Sequence, residues 1–568
     1  MMVLALEVAL TRAFSVLLRF HYVFLAVSLA TCGLGLGGVL DYALRRAGGR
    51  SVLGWSALAG ALLAPAGILA LFASPLSAHL TSLWVISACC LPGFMGPGVF
   101  LSRAFSLWGR YSGLVYYADL MGAATAAAGA MILLQLGGAI NAALGCAALG
   151  AFAAALTCRR WWFVTIACLL SGGLVFCALA NSSLRVVDLP TMPLAGDPNA
   201  KPLYQELGDP GTGARVIRSE WNAFARTDVV VYADPDGKVP PDADLYLYTD
   251  GEVPTNIARY KGSLKELGER YKGFIGLYAF LAVKPKSAML LGPGGGLDIW
   301  LALISGAKTI KGAEVNPSIP SIVRRYAAYG GPVYDFSNVD IAITEARSYL
   351  RRTHERFDII YMALTKTATT ATTSMALVES YVHTVEAFRD YYRHLAPDGA
   401  VAFVCQASPL LVRAALTALE ALELEGVSRD QAVARLAIVS APPDAAIAGP
   451  YRHLLLVFAE PLTPARSREL GEFAVAWGLV PVFFPRAYEP APLGDLWNQE
   501  MSGADLVARW NQQWFGAGSR GLNLAPCTDD RPFVVDLTWG VPQPLKRFLT
   551  GTSVVCLLLM VLAVALAG

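Results

Sequence analysis

The sequence predicts a multi-domain chain: an N-terminal α-helical membrane bundle, then a globular α/β domain, then one C-terminal membrane helix. Three observations predict it. The 568 residues are 55% hydrophobic and only 15% charged, a low charged share for a soluble protein. The apolar excess is confined to Met1–Ala180 and Thr552–Gly568. Between those stretches the composition is ordinary, and short β-type runs alternate with helical ones around a glycine cluster at 292–296.

The bundle comes first. Candidate spans are Val3–Leu18, Tyr22–Leu44, Leu53–Ala73, Leu83–Leu107, Leu114–Leu136, Ile140–Leu156 and Trp161–Ala180, with Ser553–Ala567 closing the chain. Several approach the twenty residues that cross a bilayer core. Glu7 and Arg12 interrupt the first run, so it does not read as a cleavable signal peptide. Small residues (Gly33, Gly35, Gly37, Gly38, and the run 122–129) suit close helix packing in lipid. Glu7, Arg12, Asp41 and Asp119 are the polar residues expected at membrane depth, where a charge needs a partner or a cavity. Arg12 meeting Glu7 or Asp119 would satisfy that as a structural pair; a transport pathway is the competing use.

Arginines in short loops orient the bundle. Arg45, Arg46 and Arg50 follow the second span, Arg103 and Arg110 the fourth, Arg159 and Arg160 the sixth. If seven spans cross an inner or plasma membrane, the globular domain lies outside the cytoplasm. Lys546 and Arg547, before the last span, point the other way.

The domain boundaries expected are 1–181 for the bundle, 182–283 for a linker and β-rich part, 284–460 for the α/β core, 461–548 for a C-terminal extension, and 549–568 for the closing helix. Strands are expected at Ala214–Arg218, Asp228–Tyr232 and Ala243–Thr249, with a turn at Asp250-Gly251. A helix follows at Leu264–Leu281. Core strands are expected at Ala288–Leu291, Thr309–Val315, Val339–Ile343, Phe357–Met362 and Ala400–Cys405. Helices fall between them at Asp298–Ser305, Pro317–Tyr329, Ala346–Thr353 and Tyr381–Leu395. Such alternation implies a parallel, doubly wound sheet. Pro397-Asp398-Gly399 reads as a turn before the fifth strand. Leu410–Leu424 is a further helix, Leu436–Ala441 and His453–Phe458 an antiparallel closing pair, and Pro464–Trp477 a last helix. Thr528-Asp-Asp-Arg-Pro532 then makes a local turn with an ion pair, ahead of a short strand.

The chemistry centres on Gly292, Gly294, Gly295 and Gly296. They follow an apolar strand and open a helix, and Glu314 ends the next strand. That layout fits a nucleoside-type site: glycines let the backbone turn tightly, and the acid accepts from ribose hydroxyls. Net charge is +2 and no basic run carries interleaved aromatics, which sets nucleic acid aside. Eight of ten cysteines lie in or beside membrane segments. Cys405 and Cys527 read as buried thiols, with a bridge between them as the alternative. The six histidines show no metal spacing, and no metal is expected.

The run from Gly292–Gly296 and Glu314-Val-Asn-Pro317 through Thr344-Glu-Ala-Arg347, Phe357-Asp-Ile-Ile360 and Ser380-Tyr-Val-His-Thr-Val-Glu-Ala-Phe388 to Leu395-Ala-Pro-Asp-Gly399 resembles the spermidine synthase family. It is closest in pattern to bacterial polytopic membrane members, which carry a bundle ahead of a Rossmann-like, class I methyltransferase-type fold. Asp250-Gly251 fits the family's DG turn, and Thr528–Pro532 a motif near the end of membrane members. The resemblance implies S-adenosylmethionine or decarboxylated S-adenosylmethionine as cofactor, held by the glycine loop, Glu314 on the ribose and Glu345 near the adenine. It implies Asp250, Tyr361, Lys366 and Glu379 around an amine substrate, where Lys366 would repel a polyamine cation if it lined the pocket. It also implies a departure: Ala363 stands where aminopropyltransferases place the Asp that takes the amine's proton. Glu379 could replace it, or could simply favour the dipole of the following helix. Two functions are therefore expected as alternatives: a membrane-anchored aminopropyl or alkyl transferase, or a catalytically inactive relative that serves binding or assembly with a protein partner or a second copy. A transporter with a regulatory nucleoside-binding domain, resting on Glu7, Arg12 and Asp119, is a weaker third. Expected contacts are the lipid bilayer and a small nucleoside or amine ligand.

Overall fold

The structure is a computed structural model. It describes all residues except 19–23, 45–48, 74–81, 190–200, 253, 365–378, 491–492, 498–502, 516–520, 538–545, 548–549, 552, 555–556, 559–560 and 562–568. The chain divides into two compact units, one of residues 1–240, 248–252 and 547–568, the other of residues 241–247 and 253–546.

The first unit opens with α1 (Met2–Leu17), α2 (Phe24–Ala43), α3 (Gly49–Ala73), α4 (Leu83–Leu107), α5 (Ser112–Thr157) and α6 (Trp161–Leu184). Among the described residues five stretches are long and apolar enough to cross a membrane: Leu25–Ala43, Gly49–Phe72, Leu83–Leu107, Gly109–Thr157 and Trp161–Leu184. The fourth of these holds two of the expected spans. Gly138 breaks α5 with φ 76° and ψ −176°, and a Cβ on Gly145 would stand 3.3 Å from Leu133 Cδ1. Residues that far apart in a straight helix are about 18 Å apart, so the chain folds back here. Glycines admit the close crossings: a Cβ on Gly96 would meet Gly60 N at 2.6 Å. The α1 helix has 16 residues, less than a full span.

The polar residues of the bundle pair differently from expectation. Arg103 is buried in α4 and donates to Asp41 Oδ1 at 2.7 Å, while Ser102 donates to Asp41 Oδ2 at 2.9 Å. Arg103 is thus half of an interhelical ion pair rather than a loop charge. Arg12 meets neither Glu7 nor Asp119. Its Nη2 donates to both oxygens of Asp250 at 3.1 Å. Among the described residues Glu7 and Asp119 have no ion pair.

The rest of this unit is α7 (Pro202–Gly208) and a bulged antiparallel pair, β1 (Ala214–Trp221) and β2 (Arg226–Tyr232). The expected closing helix at Ser553–Ala567 falls largely outside the described residues.

The second unit follows β3 (Leu245–Thr249), which straddles the join, with β4 (Pro254–Ile257), α8 (Leu264–Arg270), α9 (Ile275–Val283), β5 (Ser287–Leu291), α10 (Leu297–Ile304), β6 (Thr309–Glu314), α11 (Ser318–Arg325), α12 (Ala327–Gly330), β7 (Val339–Ile343), α13 (Ala346–Arg352) and β8 (Phe357–Ala363). Next come α14 (Val385–Arg393), β9 (Leu395–Cys405), α15 (Ser408–Leu424), α16 (Arg429–Val433), β10 (Leu436–Ser440), β11 (His453–Phe458), α17 (Pro464–Ala476), β12 (Val480–Phe483), α18 (Leu493–Trp497) and α19 (Gly503–Phe515). Eight strands form one sheet in the order β12-β10-β11-β9-β8-β5-β6-β7. From β7 to β9 all neighbours are parallel; β11, β10 and β12 add antiparallel strands.

Several local expectations change. The helix expected at Leu264–Leu281 is two, because Gly273 takes φ 82° and ends the first. Pro397-Asp398-Gly399 is a bulge within β9, not a turn before it: the register to β8 slips between Phe357 and Ile359. No strand follows Thr528–Pro532 among described residues 533–537. The edge strand β12 was not anticipated; its four residues, one a proline, are too short for alternation to register. Cys405 and Cys527 are free buried thiols.

Candidate functional site

Parallel strands running one way put their carboxyl ends on one edge. There the order reverses between β5, which leads to β6 and β7, and its other neighbour β8, which leads to β9. This is the switch point at which α/β sheets open a ligand crevice. Gly292–Gly296 follows β5, Glu314 ends β6, Glu345 follows β7, and Leu364 follows β8.

The glycine loop proves to be packed on its own protein. Gly292, Gly294 and Gly296 take φ 73°, 54° and 96°, a region that favours glycine. A Cβ on Gly294 would collide with Thr255 Oγ1, and one on Gly295 with the Asn256 carbonyl; on Gly296 it would stand 2.7 Å from Val333 Cγ1. The loop amides are also spent internally. Gly292 N–H donates to Ala313 O at 2.9 Å, Gly294 N–H to Glu314 Oε2 at 3.1 Å, Gly295 N–H to Thr255 Oγ1 at 2.8 Å, and Gly296 N–H to Pro293 O at 3.0 Å. A phosphate cradle needs such amides free, and two carboxyl groups stand beside this loop. The amides of Gly292, Gly294, Gly295 and Gly296 therefore do not form such a cradle.

Glu314 is 4% exposed. Its Oε1 accepts from Asn316 N–H at 3.0 Å. Burial raises its pKa, and the backbone N–H groups of Asn316, Gly294 and Val315 oppose that rise. A carboxylate offers about four acceptor positions, and with these three backbone N–H groups about one remains. Glu345 stands half-buried at the matching end of β7, but it caps α13: its oxygens accept from Arg347 N–H at 2.9 Å and Ser348 N–H at 2.7 Å. Asp298, which sequence reading treated only as a helix start, is 5% exposed in the first turn of α10. Burial, with Glu314 nearby, raises its pKa well above the ordinary range. Its one signal in the sequence was an acid in an otherwise apolar helix.

The end of β8 carries no carboxylate: Ala363 is buried, and Leu364 takes φ 48°, strained for a bulky residue. Lys366 lies outside the described residues. Glu379 is exposed and accepts from Tyr381 OH at 3.2 Å. It does not start the helix, since Thr384 caps α14 and Glu386 occupies its first turn; the dipole reading of Glu379 is corrected accordingly. Tyr361 is wholly buried against Phe280, with ring centroids 4.8 Å apart. Its hydroxyl has no partner among the described residues. Asp250, in the first unit, is fully engaged. Besides Arg12 it accepts from Ser15 Oγ at 3.2 Å and Arg226 N–H at 2.8 Å, so it holds α1 to the DG turn and has little capacity left for an amine.

The Thr528–Pro532 motif makes its expected local turn, with Arg531 N–H donating to Thr528 O at 2.9 Å. Its ion pair is long-range: Asp529 accepts from Arg347 Nη1 at 2.7 and 2.9 Å and from Thr384 Oγ1 at 2.7 Å. Arg347 also donates to Asp390 at 2.7 Å. Among the described residues no cluster of His, Cys, Asp and Glu could hold a metal ion.

No family model matches the chain, and no curated protein matches it. Among solved structures it is similar to a spermidine synthase in complex with the transition-state analogue AdoDATO and to the spermidine synthase of Thermotoga maritima. Each is 17% identical over 47% of this chain and 85% of that one, with a TM-score of 0.32. A probable spermidine synthase from Corynebacterium glutamicum is similar at 17% identity and TM-score 0.32, over 47% of this chain and 88% of its own.

Proposed function

We propose that the α/β unit binds an S-adenosyl nucleoside, S-adenosylmethionine or its decarboxylated form, and belongs to a membrane-anchored transferase of aminopropyl or alkyl groups to an amine. The observation that carries this reading is Glu314, a buried carboxylate with about one acceptor position left at the sheet's switch point, beside a loop whose amides are already satisfied. Glu314 would take a ribose hydroxyl, the outer edge of Glu345 would face the adenine, and Tyr361 would wall the reacting end. A sulfonium donor supplies an activated carbon; this chain's residues would orient it and exclude water. Similar structures named as spermidine synthases agree with this class of ligand but are distant in sequence.

A second reading has its own observation. Amine alkylation needs a proton acceptor; Ala363 cannot be one, and Glu379 is exposed and engaged by Tyr381. On that reading the nucleoside pocket persists in a catalytically inactive domain used for binding or assembly. Arginines at or beside helix ends, Arg50, Arg110, Arg159 and Arg160, favour an extracytoplasmic domain, which also suits an inactive one, since soluble S-adenosyl donors are cytoplasmic.

The test uses the full-length protein in lipid nanodiscs with radiolabelled decarboxylated S-adenosylmethionine and a panel of diamines. Labelled product supports the transferase. Binding without turnover, with turnover appearing on Ala363→Asp, supports the inactive reading. Absence of binding to any S-adenosyl nucleoside overturns both.

A further inference from the structure

One hairpin tip in the first unit has an unusual composition for a turn in water. The connection between β1 and β2 reads Trp221-Asn222-Ala223-Phe224-Ala225, whereas turns facing solvent are built mainly from Gly, Pro, Asn, Asp and Ser. Its one amide side chain is occupied by the turn itself. Asn222 Oδ1 accepts from Phe224 N–H and Ala225 N–H, each at 2.7 Å, and Asn222 N–H donates to Ala225 O at 3.0 Å. Ala223 and Phe224 are left exposed, Phe224 by 46%. The charges flanking the tip pair among themselves: Arg218 with Glu220 at 2.7 Å, and Arg226 with Asp228 at 2.9 Å.

This tip meets the helices at their ends. A Cβ on Gly138, at the fold-back of α5, would stand 2.8 Å from Trp221 Nε1. Arg185, which follows α6, donates from Nη2 to Ser219 O at 3.2 Å. The fold-back and the end of α6 share one level, since Asn181 Nδ2 donates to Asn141 Oδ1 at 2.8 Å. With 24 residues, α6 is about 36 Å long, more than the about 30 Å of a hydrocarbon core. Its end therefore emerges among lipid headgroups. Trp221 and Arg226 are the last paired residues of the hairpin, so the turn that carries Phe224 extends beyond the contact with Gly138. The exposed side of α6, with Leu169, Phe176 and Leu179, continues past the helix end through Leu184 to Val186, which is 77% exposed. A lone exposed apolar residue is ordinary. Here the exposed residues continue a helix face that lipid covers.

We propose that the β1–β2 turn is seated in the bilayer interface, with Ala223 and Phe224 at the boundary of headgroups and acyl chains. Apolar and aromatic side chains without charge suit that depth, and a bilayer already surrounds the neighbouring face of α6. The hairpin is then a second, non-helical attachment of the first unit to the membrane. The proposal is independent of the nucleoside reading.

The experiment replaces Phe224, Leu169 or Val239, one at a time, by the photo-crosslinking residue p-benzoylphenylalanine in the full-length protein in phosphatidylcholine nanodiscs. Leu169, on the exposed side of α6, gives the yield of a lipid-facing site. Val239 is exposed and lies at the opposite end of β2, about 20 Å from the tip, where Asp234 N–H donates to Lys238 O at 2.8 Å; it gives the yield of a solvent-facing site. Intact mass after irradiation reads the lipid adduct. Adduct is expected at 224 and 169 and not at 239. A yield at 224 no greater than at 239 overturns the proposal. A covalent dimer from 224 in place of a lipid adduct also overturns it, because the tip would then face a second copy of the chain. Absence of adduct at 169 as well would take α6 out of lipid, and the proposal with it.

Discussion

Replacing Arg347 with methionine should destabilise the α/β unit by about 2–3 kcal/mol, less than a fully buried pair would cost. The side chain of Arg347 is 6% exposed and joins Asp390, at 13%, to Asp529, at 36%. Removing one partner of a buried pair costs about 3–5 kcal/mol when the other is stranded. Here neither acid is fully stranded. Asp390 keeps Arg351 at 2.8 Å, and Asp529 keeps Thr384 and is screened by water over a third of its surface. A loss of that size lowers Tm by roughly 5–10 °C for a domain of a few hundred residues or fewer. The assay is thermal unfolding of the full-length protein by intrinsic fluorescence, read as a double-mutant cycle with Asp529→Asn. The two substitutions should be non-additive by about 1 kcal/mol or more. The pH dependence carries the same sign. Burial raises the Asp529 pKa, but Arg347 and Thr384 outweigh it and hold it below its ordinary value. Its contribution is therefore present above the unfolded carboxylate pKa and lost as pH falls through the lower folded one, so Arg347→Met should flatten the acid limb of Tm. Additive effects and an unchanged acid limb would refute the network.

Three further outcomes follow from the same structure. Gly295→Ala should cost about 1–3 kcal/mol, because its Cβ meets the Asn256 carbonyl rather than a mobile side chain; a neutral result in chemical denaturation would mean that the loop is not packed on β4. His453 is held neutral between Ser408 and Ser440, with its pKa pushed down to about 4 by burial and then Arg452. Its contribution is complete above the unfolded histidine pKa and is lost as pH falls towards 4, up to about 3 kcal/mol. His453→Gln should remove that slope in Tm against pH; an unaltered slope would count against it. Asp250→Asn should loosen α1, since Arg12 loses its partner, and protease cutting in the first unit should increase; equal cutting rates would contradict the anchoring role.

Much of the fold was legible because apolar runs and turn residues are strong local signals. Val339–Ile343 and His453–Phe458 were read with their observed bounds, and the fold-back at Gly138 matched a gap between two apolar runs. What was not legible depended on distant partners. Arg12 looked like a partner for Glu7 or Asp119 because those acids share its apolar setting; Asp250, over two hundred residues away, takes it instead. Arg103 looked like a loop charge because Asp41, on another helix, is invisible to local reading. The glycine cluster was legible as a motif, but its cause was not: Thr255 and Asn256 press on it as a ligand would. Asp298 was passed over because its burial, not its position in the motif, makes it unusual.

The central claim is that Glu314 holds the ribose of an S-adenosyl nucleoside. Calorimetry of S-adenosylmethionine and methylthioadenosine with full-length wild-type protein and Glu314→Gln, each in nanodiscs and each checked for Tm without ligand, tests it most directly. The account predicts binding of at least one nucleoside to wild type and a loss of about tenfold or more in the variant, with ligand-free Tm little changed. No heat with either nucleoside in wild type, or equal affinity in Glu314→Gln, would contradict it.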